Sequence, residues 1–245
     1  MVKSMPFLKI ENLSKSFGGL MAVNHVTFEV GEGEILGLIG PNGSGKTTLF
    51  NLISGFFPPD TGRIYLGDES LVGLKPHQIC KRGIGRTFQI VKPFPHLSVM
   101  RNVRAAAFNR EKETNRANRQ SESLLEFAGL WSKRNELAGS LTLAERKQLE
   151  LARCLATQPK FLLLDEVMAG LNPVEQKQMI DLVIKIRERG ITIIGIEHTM
   201  QIIMTISDRI IVLCFGGMIA QGVPGEVAQD PDVIKSYLGE KYRFV

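Results

Sequence analysis

Gly40-Pro41-Asn42-Gly43-Ser44-Gly45-Lys46-Thr47 lies between an apolar run, Ile35–Ile39, and a segment over 46–54 that ends at Gly55. The run has the length and composition of a buried strand, and the segment those of a helix. A strand, a glycine-rich turn and a helix in that order are the setting a phosphate-binding loop requires. Glycines there let successive backbone N–H groups turn toward one point without Cβ clashes, and the helix adds its positive N-terminal end. Lys46 is expected to reach the β- and γ-phosphates, and the Thr47 hydroxyl to complete the coordination of a bridging Mg²⁺.

A length of 245 residues suffices for one large domain, or for a domain with a subdomain inserted. With 44% apolar and 22% charged residues the composition is that of a folded globular protein, not of a disordered chain. The formal net charge of +5 permits contact with nucleic acid or an anionic membrane without demanding either. Cys80, Cys154 and Cys214 are far apart, outside any CxxC and without a neighbouring His pair. They read as small core residues in a reducing compartment, not as a disulfide framework or zinc site. The first nine residues hold no apolar stretch of signal-peptide length, and no run approaches the roughly eighteen apolar residues of a membrane span. The expectation is a cytosolic chain that meets a membrane only through a partner.

Before the loop, residues 7–17 and 23–30 alternate in polarity, with Val26, Phe28 and Val30 on one face and Thr27 and Glu29 on the other. Half-exposed antiparallel strands have this pattern. Phe17 precedes the turn Gly18-Gly19, where its ring either stacks on an adenine or makes a core contact. After the loop, short strands are expected over 63–66 and 84–88, the second delivering Gln89. Residues 90–158 are strand-poor, with helices expected over 98–108 and 119–128. They read as an inserted helical subdomain within a single 1–245 domain, leaving 1–89 and 159–245 as the nucleotide-binding core. The basic run Arg101, Arg104, Arg110, Lys112, Arg116 and Arg119 suits a solvated face, or else a surface toward lipid headgroups or an acidic partner.

Thr142 and Glu145 have the spacing of a capping box, worth about 1 kcal/mol, at the head of a helix reaching about residue 157. The apolar strand expected over 161–166 ends on Asp165-Glu166. Two carboxylates there cannot be buried cheaply and repel one another, so they are expected to face solvent or a cation. Asp165 fits a Mg²⁺ partner, directly or through water, and Glu166 a residue that orients or deprotonates the attacking water. Asn172-Pro173 caps a helix whose buried face is expected to be Ile180, Val183 and Ile184, and a strand over 191–196 then runs to Glu197-His198. Parallel strand ends lie on the ligand side of such sheets, so His198 is expected to hydrogen-bond the γ-phosphate or the attacking water. Residues 209–221 read as a hairpin turning at Gly216-Gly217, and 231–238 as a last helix.

In their order and spacing these motifs resemble those of the ATP-binding cassette (ABC) family over nearly the whole chain. Residues 40–47 stand as Walker A, Gln89 as the Q-loop glutamine, 141–145 in the place of the signature, Asp165-Glu166 as Walker B with the catalytic glutamate, 169–172 as the D-loop and His198 as the switch histidine. Within the family, Gly85-Arg86-Thr87-Phe88-Gln89, Pro93-Phe94, Leu97-Ser98-Val99, Ala169-Gly170-Leu171-Asn172-Pro173 and Tyr237-Leu238-Gly239 resemble the ATPase subunits of branched-chain amino acid importers. Urea and amide importers share much of this pattern. The resemblance implies an α/β fold, a P-loop NTPase cassette with a RecA-like core sheet, an antiparallel β subdomain and an inserted helical subdomain.

The same resemblance implies ATP hydrolysis with Glu166, His198 and Gln89 as catalytic residues and Mg²⁺ held by Thr47, Gln89 and Asp165. Nucleotide contacts are implied for Phe17, Gly40, Pro41, Asn42, Gly43, Ser44, Gly45, Lys46, Thr47 and Thr48 and, across a head-to-tail dimer, for Thr142, Ala144 and Glu145. The implied partners are membrane permease subunits, a second cassette subunit identical or related, and indirectly a solute-binding protein, with no nucleic acid. The implied location is peripheral, on the cytoplasmic face of the membrane. A competing reading, a cassette acting on ribosomes or nucleic acid through the basic run, is opposed by the single cassette and the lack of sustained heptads.

Thr142 and Ala144 stand where the family signature has Ser and Gly, Asn172 where many members have Asp, and Val167 where Pro is common. A methyl group at Ala144 crowds the approach of phosphate to the backbone. Ala144→Gly is therefore expected to tighten ATP-driven dimerisation in a sedimentation assay, with hydrolysis retained in both forms. Equal dimerisation would refute the crowding.

Overall fold

The computed structural model describes residues 7–197 and 199–238. They fall into two compact units, one made of the chain up to Ile79 and from Thr192 onward, the other of Cys80–Ile191.

The first unit opens with β1 (Leu8–Phe17) and β2 (Leu20–Val30), paired antiparallel. The polarity alternation survives in the fold: Val26, Phe28 and Val30 are buried, Thr27 and Glu29 exposed. Then follow β3 (Ile35–Ile39), α1 (Lys46–Ile53), β4 (Thr61–Leu66), the two-residue β5 (Glu69–Ser70) and α2 (Pro76–Lys81), which ends across the join between the units. One sheet has the order β2-β1-β4-β5. β4 starts two residues before the expected 63–66, and β5 was not expected. The turn before β4 is fixed by Asp60, whose carboxylate accepts from the Lys15 ammonium at 2.7 Å and from the Ser16 amide and hydroxyl at 2.7 and 2.8 Å. These bonds hold its pKa down at about 2.

The second unit contains β6 (Ile84–Arg86), α3 (Val99–Ala107), α4 (Thr114–Phe127), α5 (Leu143–Ala156), β7 (Phe161–Asp165) and α6 (Pro173–Glu188), with β6 and β7 parallel. α4 begins five residues before the expected 119, because its first turns carry Asn115, Arg116 and Asn118 and so lack an apolar stripe. The buried face of α6 is Met179, Leu182, Val183 and Ile186, which corrects the expected one: Ile180 and Ile184 are only half-buried. Part of the basic run is structural. Arg110 donates to the Thr157 carbonyl at the end of α5 (2.9 Å) and to the Cys80 carbonyl (3.1 Å), and Arg104 donates to Asn118 (3.2 Å). Arg101, Lys112 and Arg119 are exposed.

The first unit resumes with β8 (Thr192–Ile196), α7 (Met200–Ile206), β9 (Arg209–Cys214), β10 (Gly217–Gly222), α8 (Pro224–Val227) and α9 (Pro231–Leu238). β3 lies between β8 and β9, parallel to both, and β10 runs antiparallel on β9. Every residue of β3 and β8 is buried, which is why neither alternates in polarity, the buried Thr192 being the one polar residue of the two. α7 was not expected; it comes so close to β3 that a Cβ on Gly37 would stand 2.8 Å from Ile203 Cγ1. The hairpin turns one residue earlier than expected, at Phe215-Gly216 with φ of 45° and 80°, the backbone that two-residue hairpins favour. The three cysteines are free thiols, half-buried and not fully in the core. Among the described residues no helix is long and apolar enough to cross a membrane.

Candidate active site

In the first unit β3 delivers the chain into residues 40–45, and α1 starts immediately after. Gly40 (φ 149°) and Gly45 (φ 103°) are wedged against neighbouring backbone. An added Cβ would lie 2.1 Å from the Leu213 carbonyl oxygen at Gly40 and 2.2 Å from that of Ala22 at Gly45. The Gly216 amide donates to the Ser44 carbonyl at 3.1 Å and so ties the loop to the β9–β10 turn. Gly45 caps α1 with no side-chain bond, and the helix ladder opens with the Leu49 amide on the Gly45 carbonyl, 2.8 Å. The amides of Lys46, Thr47 and Thr48 therefore lie outside that ladder, at the positive end of the helix. The buried Lys46 ammonium arches over the loop, donating to the carbonyls of Gly40 (2.8 Å) and Pro41 (2.9 Å) and to Ser44 Oγ (3.4 Å). Asn42, Gly43 and Thr47 are exposed. Phe17 is no core contact: it is 42% exposed, with its ring edge on Phe57 at a centroid distance of 5.3 Å.

The second unit gathers Gln89, Asp165 and Glu166. β7 ends on Asp165, one residue short of the expected 166, with Glu166 directly after it; the two carboxylates are only 3% and 8% exposed, and what faces Asp165 is an internal cation. Arg86 Nη2, at the end of β6, stands 3.3 Å from Asp165 Oδ2. Burial lowers the Arg86 pKa from its ordinary value and the Asp165 carboxylate acts to raise it. Thr87 Oγ1 accepts from the Asp165 amide at 2.9 Å, locking the two strand ends together. Glu166 adopts φ +53°, a left-handed backbone that costs about 1–3 kcal/mol at a residue with a Cβ. Its Oε2 accepts from Gln89 Nε2 at 2.8 Å, and its carbonyl accepts from the Lys147 ammonium at 2.8 Å and the Ala169 amide at 3.2 Å. His198 lies outside the described residues.

Thr142 caps α5 with both halves of the capping box in place. The Glu145 amide donates to Thr142 Oγ1 (3.3 Å) and the Thr142 amide to Glu145 Oε2 (2.9 Å). Partial burial raises the Glu145 pKa, but its bonds to Lys133 (2.7 Å) and Thr142 outweigh this and hold it below the ordinary value. Since the box engages the amides of Thr142 and Glu145, an anion arriving at this end meets those of Leu143 and Ala144.

The chain matches the ABC transporter family over residues 23–169 and the branched-chain amino acid ATP-binding cassette transporter family over 218–243. It belongs to the ABC transporter family. BraF of Pseudomonas aeruginosa, a high-affinity branched-chain amino acid transport ATP-binding protein, is 41% identical to it, covering 97% of this chain and 99% of that protein. LivG of Escherichia coli K12, which carries the same description, is 42% identical with the same coverage. The crystal structure of MJ1267, an ATP-binding cassette of an ABC transporter in its ADP conformation, superposes with a TM-score of 0.87 at 31% identity, over 97% of this chain and 100% of the other. The α/β P-loop cassette expected from the motifs is thus the fold of this protein.

As an ABC cassette, this chain holds polar partners that the motif spacing did not single out. Arg86 faces Asp165, Lys147 holds the Glu166 carbonyl, and Glu150 accepts from the Phe88 amide at 3.0 Å. Burial pushes the Glu150 pKa up, with the Phe88 amide acting the other way. Lys147 and Glu150 lie three apart in α5, so the only sequence signal was a cation and an anion on one face of an otherwise apolar stripe. Burial raises the pKa of Tyr237 in α9, and a hydrogen bond from the Gly40 backbone opposes that shift. Of the residues expected to hold Mg²⁺, Asp165 is the one carboxylate, and no described residues form a cluster of three or more His, Cys, Asp or Glu able to hold a metal alone. That suits Mg²⁺, which keeps waters and completes its shell from phosphate oxygens with one or two carboxylates.

Proposed function

We propose that this cassette is the ATP-binding and ATP-hydrolysing subunit of an importer, energising uptake of branched-chain amino acids through membrane permease subunits. The observation that carries the reading is the end-to-end likeness, at 41–42% identity, to proteins described as branched-chain amino acid transport ATP-binding proteins. When bound, ATP supplies a transferable γ-phosphoryl group, and Mg²⁺ a divalent charge that offsets the negative charge on its oxygens.

The amides at 43–48 and the Lys46 ammonium hold the phosphates, and the exposed Phe17 ring offers a face to the base. Thr47, Asp165 and Gln89 hold the metal. Glu166 orients or deprotonates the attacking water, with Gln89 setting its direction by the 2.8 Å bond. His198 serves the γ-phosphate side. Thr142, Ala144 and Glu145 form the helix end that meets the nucleotide of a second cassette, identical or related. Residues 90–158 serve as the helical subdomain of the single domain, with 1–89 and 159–245 as the core. The chain works as a peripheral subunit at the cytoplasmic face, reaches the solute-binding protein only through the permease, and uses no nucleic acid.

The test is to tag the chain in its own cell, solubilise membranes in mild detergent, identify what copurifies and measure ATP turnover on the same material. Two polytopic membrane proteins and a second cassette are expected. Ribosomes, nucleic acid or no partner, in a fraction that still hydrolyses ATP, would sink the importer reading.

A further inference from the structure

Helix α5 carries a lysine whose charge is spent inside the protein. Lys147 is only 4% exposed, one and a half turns past the Thr142 cap, and its ammonium lies 2.8 Å from the Glu166 carbonyl oxygen. Taking an ammonium out of water is costly unless it is hydrogen-bonded or paired, and here the bond to the Glu166 carbonyl and the charge of nearby Glu150 both act against that cost. What it meets is the one residue at the end of β7 with a left-handed backbone, φ +53°. That conformation turns the Glu166 side chain so that Oε2 accepts from Gln89. The same carbonyl takes the Ala169 amide at 3.2 Å, so the lysine sits on the hinge of the turn that leads into 169–172. One turn further along α5, Glu150 accepts from the Phe88 amide, the residue before Gln89. A single helix thus holds Glu166 by its own carbonyl and Gln89 through the amide of the residue before it.

We propose that Lys147 is a positioning residue for hydrolysis. By gripping the Glu166 carbonyl it fixes the left-handed turn that aims the Glu166 carboxylate, with Glu150 holding Gln89 in register. This rests on the reading of Glu166 as the group that orients or deprotonates water. Because Lys147 rides on the helix whose capped end meets the nucleotide across the dimer, a shift of α5 on that side re-aims Glu166 of its own chain.

The experiment uses the full-length chain, in wild-type form and as Lys147→Met, Lys147→Arg and Glu166→Gln. It reads kcat and KM for ATP, thermal melting, and hydrogen exchange of the peptide covering 165–171 without nucleotide. Lys147→Met is expected to speed exchange at the Ala169 amide about tenfold, as loss of a local closure does. It should lower kcat by about 10²-fold, the scale of a misplacement near 1 Å, with KM within about twofold. Lys147→Arg, which keeps a donor and the charge, should restore most of both. A Met variant with normal kcat beside an inactive Glu166→Gln would overturn the proposal and leave the hydrolytic reading standing. So would unchanged exchange at 165–171, or an Arg variant no better than Met. A wild-type chain without turnover would remove the hydrolytic reading and the proposal with it. If Lys147→Met does not fold, Lys147→Gln takes its place with the same expectation.

Discussion

Glu166→Gln is expected to lower ATP turnover by about 10²–10⁴-fold, the range for loss of a positioned general base, while ATP remains bound and the dimer it supports becomes longer-lived. The substitution is nearly isosteric. The bond from Lys147 goes to the backbone carbonyl and is kept, and the amide oxygen can still accept from Gln89 Nε2. What is lost is a negative charge with basic character, beside a second buried carboxylate that Arg86 already engages. With both bonds kept and the shape unchanged, the variant should melt close to the wild-type temperature. Turnover, melting and sedimentation in ATP on one preparation separate these effects. Unchanged turnover would take Glu166 out of its role.

Gly45→Ala is the second large effect. Its Cβ would stand 2.2 Å from the Ala22 carbonyl oxygen, on a backbone with φ +103°, so either the loop or β2 must move. If the shift breaks two amide–phosphate bonds worth about 1.5 kcal/mol each, nucleotide affinity falls by about 10²-fold. Gly33→Ala separates this wedge from left-handed strain alone. Gly33 has φ +73° with nothing within 4 Å of its Cβ position, so stability should drop by about 1 kcal/mol while nucleotide affinity stays at the wild-type value. A titration with a fluorescent ATP analogue and a thermal melt on both variants test this; wild-type affinity in Gly45→Ala would show that the loop is not wedged.

What could be read from the chain alone was what neighbouring residues decide. β3, the glycine turn and α1 follow from a short run of composition, and the capping box of α5 from two residues three apart. The misplaced features depend on packing at a distance. The face of α6 is chosen by what it packs against, and Ile180 and Ile184 fitted a helical stripe as well as Met179 and Ile186 did. α7 is rich in Ile and Met, which suit strand and helix alike, and the polar start of α4 carries no stripe. The same limit applied at the candidate site. Gln89, Asp165 and Glu166 stood out by motif, whereas Arg86 and Lys147 matter through partners 79 and 19 positions away in sequence. The two carboxylates were expected to look outward or to a cation, and the cation facing Asp165 is supplied from within the chain.

The placement of β3 between β8 and β9 also has a temporal side. The strand that carries the phosphate loop leaves the ribosome early, whereas its nearer partner in sequence, β8, starts only at Thr192. At a synthesis rate of about 5–20 residues per second, the roughly 150 residues between them take about 8–30 s. Throughout that interval an all-apolar strand has neither neighbour, and Gly40 lacks the Leu213 carbonyl against which it is wedged. The nucleotide loop is among the first parts to be made, while the segments that hold it are among the last, so ATP cannot help the chain to fold until most of it has been translated.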